Sequence, residues 1–216
     1  MTIMIHKDLR AKFGAARDQD PRPTCMAFAA SDAHAGARPG WEPLSVEWAY
    51  YHALRREGGQ PHQGTKFSTM LRTMRDDGQP VETCWPYINS MFTDLSAWEP
   101  PSSADPLFRR DNEPLAATIS ELIDGLDRDT PVLFTMSISS AFYLPTPDGV
   151  IAGNEVLMPM RVHALVAVGY GNRGSDRFVL VRNSWGPGWG LAGHAWIETA
   201  YLAPRLLNAA IMGGEL

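Results

Sequence analysis

The sequence predicts an α+β protein in one domain, residues 1–216. A mainly helical lobe from about residues 1–110 packs against a mainly β lobe, a twisted antiparallel sheet, from about 111–216, with a cleft between the two. Two observations carry this reading. Segments with helical periodicity and helix stops fill the first half, and the later apolar runs are β-type and bounded by Gly, Pro and Asp. The length of 216 residues and a hydrophobic content of 44% also suffice for a core without metals or disulfides.

"CMAFAASDAHAGA" is Ala-rich and ends at Gly36, a helix with a stop. Pro21 and Pro23 keep that helix from starting earlier, and Thr24 is placed to cap it. "LSVEWAYYHALRREGG" takes Ser45 as N-cap and closes at Gly58-Gly59. In "TKFSTMLRTMRDDG", Phe67, Met70, Leu71 and Met74 recur at helical spacing, which is a core stripe. Residues 98–114, "WEPPSSADPLFRRDNEP", read as a surface connection because of their prolines, and "LAATISELIDGL" as one more helix. "TPVLFTMSIS", "VHALVAVGYG" and "RFVLVRN" then read as strands, the last two joined by a short Gly-containing turn.

Composition excludes several classes. Charged residues are 20% and the net charge is −5, so nucleic acid has no basic footprint to bind. No apolar run reaches the length of a membrane span, and "MTIMIHKDLRAKFG" has no signal-type core. With only Cys25 and Cys84, a disulfide framework is excluded and a cytoplasmic location is expected. His34, His52, His62 and His194 form no recognisable metal spacing, and no cofactor is expected.

The chemistry converges on Cys25. It falls on the first turn of a helix, where the dipole and unpaired N–H groups favour a thiolate. Such a nucleophile needs a base, and the base an orienting group. His163 lies inside a strand-like run; a hairpin centred on Arg173 would set it opposite Asn183, whose side chain could hold an imidazole N–H. The run "VRNSWGPGWGLAGHAWI", residues 181–197, mixes rigid tryptophans with glycines, a pattern of tight turns aiming aromatic side chains at one place.

Cys25, "HALVAVGYG" and "NSWGPGWG" together resemble the papain-like cysteine proteases. The likeness extends over nearly the whole chain, through "DLR" near the start, Gln19 six residues before the Cys, "LSVEW", "HQGTKF" and "CWPY". It implies a Cys25–His163–Asn183 triad, an oxyanion hole from Gln19 and the Cys25 N–H, and Trp185 covering the Asn–His bond. It also implies turns at Gly186, Gly188 and Gly190, a structural Trp189, and a substrate cleft lined by Gly64, Gln63, Trp185, Val162 and Met26. The implied activity is peptide-bond hydrolysis on a restricted set of protein or peptide substrates, through a thioester. A peptide ligase or cyclase using the same triad and a catalytically silent peptide-binding module are the alternatives.

Three positions depart from the family pattern. Met26 stands for its usual tryptophan, Arg22 for the Cys of a disulfide common in secreted members, and Gln63-Gly64 for paired glycines. Cys84 reads as packing. Because "DLR" already resembles the start of a mature enzyme, no inhibitory pro-segment is expected, and control would fall to a narrow subsite, a regulatory protein partner or a dedicated substrate.

Overall fold

Helix α1 (Cys25–Gly36) has no solvent face: every residue from Met26 to Gly36 is buried. A helix of this kind belongs in an interior, and its alanines let both layers approach it closely. Helices α2 (Val46–Glu57) and α3 (Phe67–Asp76) pack on one side of it, and the sheet lies on the other. The computed structural model describes residues 2–91, 98–153 and 161–216.

The sheet contains β1 (Met4–Asp8), β2 (Arg110–Leu115), β3 (Val132–Ser137), β4 (Val150–Ile151), β5 (Val162–Arg173), β6 (Asp176–Arg182), β7 (His194–Glu198) and β8 (Leu206–Glu215). Its order is β2-β8-β3-β5-β6-β7-β4. Strand β5 is longer than its partners: residues 162–167 pair with β3, and Gly169–Asn172 pair with β1 on the N-terminal segment. Helices α4 (Ile119–Asp127), α5 (Ser140–Tyr143) and α6 (Thr199–Leu202) connect the strands.

Several expectations are corrected. The sheet is not wholly antiparallel, since β4 runs parallel to β7. Thr24 does not cap α1 with its side chain; its hydroxyl lies 2.9 Å from the Tyr87 hydroxyl instead. Residues 98–114 are not all surface connection. Trp98 is buried and donates its Nε1–H to Glu47 Oε1 at 2.6 Å, and β2 occupies 110–115. Pro114 fits there because β2 is an edge strand, with one side free of any ladder among the described residues. The expected helices otherwise stand: Ser45 caps α2 by accepting from the Trp48 N–H at 3.1 Å, and Gly58 ends it with φ 64°.

The polar residues of α1 are buried and partnered. The Asp32 carboxylate bridges Arg17, at 2.6 Å, and Arg182, also at 2.6 Å. Arg182 further donates to the carbonyls of Gly14 and Ala15. Burial alone would push the Asp32 carboxyl up, but the two guanidiniums outweigh it and hold the group below the usual carboxylate range. The helix that begins at Cys25 is thereby tied to the strand that ends just before Asn183.

His34 Nδ1 on α1 donates to Gln79 Oε1 at 3.0 Å, and His194 on β7 is also buried. Burial lowers both from 6.5 to about 4. The sign follows directly. Below pH 6.5 the unfolded chain takes up protons that these two sites refuse until about pH 4, so their contribution to stability is full above 6.5 and falls through that window. Urea midpoints measured across it should decline, and His34→Gln should flatten the slope. A midpoint independent of pH there would contradict the assignment.

Candidate active site

Two backbone approaches build the site. Residues 19–24 form a turn in which the Arg22 N–H donates to the Gln19 carbonyl at 3.0 Å and the Thr24 N–H to the Arg22 carbonyl at 2.8 Å. This turn delivers Cys25 as the first residue of α1. Helix α1 packs on β5, so Cys25 stands on the helix that covers the strand carrying His163 and Ala164. The sequence places Cys25 on the helical side of a cleft and His163 on the sheet side, and α1 and β5, which carry them, are packed against each other.

His163 Nε2 lies 2.7 Å from Asn183 Oδ1. The Ser184 N–H donates to the same oxygen at 2.8 Å, which fixes it as the amide's carbonyl oxygen. An oxygen that only accepts requires the proton on Nε2, leaving Nδ1 as the basic nitrogen. The expected hairpin register was wrong, although the contact it implied is present. The turn is at Gly174-Ser175, with Arg173 opposite Asp176, and the ladder slips between Ala167 and Gly169 before ending at Val166 and Arg182. Asn183 lies beyond that ladder and reaches His163 from the segment after it.

Aromatic rings close over this pair. Trp185 sits 4.8 Å from His163 between ring centroids, and Phe142 sits 5.6 Å away, edge-on. Tyr143 stacks on the outer side of Trp185 at 5.2 Å. Trp189 is buried, with its Nε1–H donated to the Phe142 carbonyl at 3.1 Å, a structural position. Gly186 (φ 69°) and Gly190 (φ 55°) have the left-handed backbone that the turns need, and a Cβ at Gly190 would collide with the His194 carbonyl. Gly188 is not such a position; the further one is Gly193 (φ 83°).

Burial governs the protonation of both reacting groups. It pushes the Cys25 thiol up, while the N–H groups of Ala164, Met26 and Cys25 itself pull the other way to a lesser extent. Burial lowers His163 to about 4, partly countered by the bond to Asn183. The helix-start position therefore does not make Cys25 a thiolate by itself. Moving the thiol proton onto His163 would leave the site's net charge unchanged.

Gln19 is fixed at three points. Its N–H donates to the Ser184 carbonyl at 2.9 Å, its Oε1 accepts from Ser184 Oγ at 2.7 Å, and its Nε2 donates to the Arg22 carbonyl at 3.0 Å. Beside it a cavity of about 370 Å³ is lined by Asp18, Gln19, Asp20, Tyr143 and Trp185 among others. Of the other expected cleft residues, Gly64 is exposed next to the Pro23 carbonyl, and Val162 is 52% exposed beside His163. Gln63 is turned back on its own loop, its Oε1 accepting from the Gln60 N–H at 2.9 Å. Met26 is 5% exposed in the core and offers no surface to a substrate. Ser184, Phe142 and Tyr143 were missed. Ser184 could have been suspected from its place between Asn183 and Trp185, but nothing in "SAFY" marks that segment as part of a site.

With a cysteine at the start of the buried helix and an Asn-bonded histidine on the strand packed against it, the fold and site suggest a class of thiol-dependent enzymes, and the comparisons specify the family. The family model for papain family cysteine proteases matches residues 24–204, so the chain belongs to that family. Cysteine proteinase 1 of Entamoeba histolytica is 27% identical over 195 residues, covering 86% of this chain and 60% of that protein. Papaya proteinase 4 of Carica papaya is 53% identical over 38 residues, 18% of this chain and 11% of that protein. The chain thus spans less than two thirds of these relatives' length. The structure of xylellain, a cysteine protease from Xylella fastidiosa, matches with a TM-score of 0.79 at 21% identity, over 98% of this chain and 87% of that one. Bromelain protease from Ananas comosus matches with a TM-score of 0.73 at 19% identity, over 95% and 97%.

Proposed function

We propose that the chain is a cysteine peptidase that cleaves peptide bonds by acyl transfer through Cys25. The observation that carries this is the His163–Asn183 bond of 2.7 Å, which leaves His163 Nδ1 as the base, on a strand packed against the helix that begins at Cys25. The thiol proton passes to Nδ1 and the sulfur forms a bond to the substrate carbonyl carbon. The carbonyl oxygen becomes an oxyanion, received by the Cys25 N–H and the second Nε2–H of Gln19. As the tetrahedral species collapses, the C–N bond breaks and His163 returns its proton to the leaving amine. Water then gives a proton to His163 and its oxygen attacks the thioester, releasing the acid and the thiolate. Asn183 holds the ring, and Trp185 shields the bond. Peptides or proteins are the substrates, with Gly64, Val162 and Trp185 flanking the bound chain. Two free cysteines suit a reducing compartment, the cytoplasm.

Digestion of a peptide library by wild type and Cys25→Ala, with and without an added amine acceptor, tests this. Cleavage products found only with wild type support hydrolysis. Products joined to the amine in preference to acids would favour a ligase, and no turnover with intact binding would favour a silent binding module. Within this reading, Gln19→Ala should lower kcat by on the order of 10² to 10³, the usual cost of one oxyanion donor. KM should move little, because the bond strengthens mainly in the transition state. Steady-state kinetics with an unchanged kcat would remove Gln19 from the mechanism.

A further inference from the structure

The amide of Gln19 is held by the backbone of a residue whose side chain is buried, Arg22. Its Nε2 donates to the Arg22 carbonyl at 3.0 Å, and the Arg22 N–H donates back to the Gln19 carbonyl, also at 3.0 Å. The two residues clasp each other, and the direction of the Gln19 amide is set by the Arg22 carbonyl on its Nε2 side together with the Ser184 hydroxyl, which holds Oε1 at 2.7 Å. That carbonyl stands where the Arg22 side chain is anchored. Arg22 Nη1 donates to Glu47 Oε2 at 2.7 Å and Nη2 to Glu47 Oε1 at 2.9 Å, a two-point bond in the interior of the helical lobe. Arg22 is 1% exposed and Glu47 0%.

Both partners are fixed further. The Glu47 carboxylate also accepts from the Ile88 N–H at 3.1 Å and from Trp98 Nε1 at 2.6 Å, and Nη1 of Arg22 donates to the Ile88 carbonyl at 2.9 Å. The guanidinium lies against the rings of Tyr50, at 5.1 Å, and Tyr87, at 5.2 Å. The Tyr87 hydroxyl in turn donates to the Gln19 carbonyl at 2.6 Å. Stability alone is a weak reason for such a pair, since a buried ion pair is often no better than well-packed apolar residues of similar volume. Geometry is a better reason: a planar two-point bond fixes direction as well as distance.

We infer that the Arg22–Glu47 pair is the positioning device of the oxyanion hole: it places the Arg22 carbonyl to take one Nε2 proton of Gln19 and so directs the other at the substrate oxygen. This rests on the acyl-transfer reading above. Arg22 acts through Gln19 and is not itself a catalytic residue.

Arg22→Lys keeps a cation beside Glu47 but cannot form the two-point bond. The experiment measures kcat, KM and the rate of Cys25 alkylation by iodoacetamide for wild type, Arg22→Lys, Gln19→Ala and the double variant. Alkylation is a direct displacement with no oxyanion, so it reports the Cys25–His163 pair alone. Arg22→Lys should lose about 10- to 100-fold in kcat, as for a small misplacement of a reacting group. Its KM and alkylation rate should stay near wild type, and the double variant should be no slower than Gln19→Ala. If Arg22→Lys fails to fold, the uncharged pair Arg22→Gln with Glu47→Gln replaces it under the same criteria. A folded Arg22 variant with wild-type kcat, a parallel fall in alkylation, or losses that multiply in the double variant would overturn the inference. An inactive wild type or a neutral Gln19→Ala would instead overturn the reading it rests on.

Discussion

Cys25→Ser is expected to abolish peptide turnover while leaving the fold intact. The oxygen is smaller than sulfur, so the first turn of α1 accommodates it without displacing Ala164 or His163. The chemistry does not survive the exchange. A hydroxyl yields its proton far less readily than a thiol, so the pairing with His163 proposed to activate the thiol does not serve a hydroxyl. Loss of the nucleophile in triad enzymes costs on the order of 10⁶ in kcat, and a comparable loss is expected here. Single-turnover assays together with a thermal melt check it. A folded serine variant within about 10-fold of wild type, one decade or 1.4 kcal/mol in barrier, would rule out thiolate chemistry at this position.

His163→Ala should be almost as severe, and Asn183→Ala measurably less so. Removing His163 deletes both the acceptor of the thiol proton and the donor to the leaving amine, two general acid–base roles each worth about 10² to 10⁴. Removing Asn183 leaves the imidazole in place but frees it. The bond to Asn183 Oδ1 also raises the affinity of His163 for a proton, so its loss should carry His163 further below its usual value and weaken its hold on the Cys25 proton. Activity of Asn183→Ala should therefore fall at every pH, with the acid limb of its profile altered, whereas His163→Ala should show no such limb. Equal losses in two folded variants would mean that Asn183 does more than orient the ring.

Much of the site was legible because its residues are chemically specific. A cysteine just after Pro-Thr, a histidine inside a β-type run and an "NSWG" segment have few readings in common. The hairpin register was not legible, since the slip between Ala167 and Gly169 is decided by how β1, β3 and β6 share the two edges of β5. Strands β7 and β8 escaped notice for a related reason. "HAWIE" and "LLNAAIMGGE" are rich in residues of poor strand propensity, and they are strands because their partners β6 and β3 hold them. Strand β2 was hidden by Pro114, which is acceptable only at an edge that composition cannot reveal. The thiolate argument from the helix start was sound as to direction and too small in magnitude, because burial outweighs the N–H groups and the sequence does not show burial. The Arg22–Glu47 pair was invisible for the reason that buried charges usually are: residues so far apart in the chain declare no partnership until the fold is known.

In the proposed mechanism, activity runs through the Cys25 thiol and no other. Cys84 is the internal control, since it is also a free, part-buried cysteine but lies in a short turn away from β5. Folded protein is titrated with iodoacetate at mildly acid pH, from a fraction of one equivalent up to full modification of Cys25, and aliquots are split between a peptidase assay and peptide mapping by mass spectrometry. The account predicts that residual activity falls in direct proportion to the fraction of Cys25 carboxymethylated, with Cys84 unmodified throughout. Cys84 labelled ahead of Cys25, or peptidase activity persisting once Cys25 is fully modified, would contradict it.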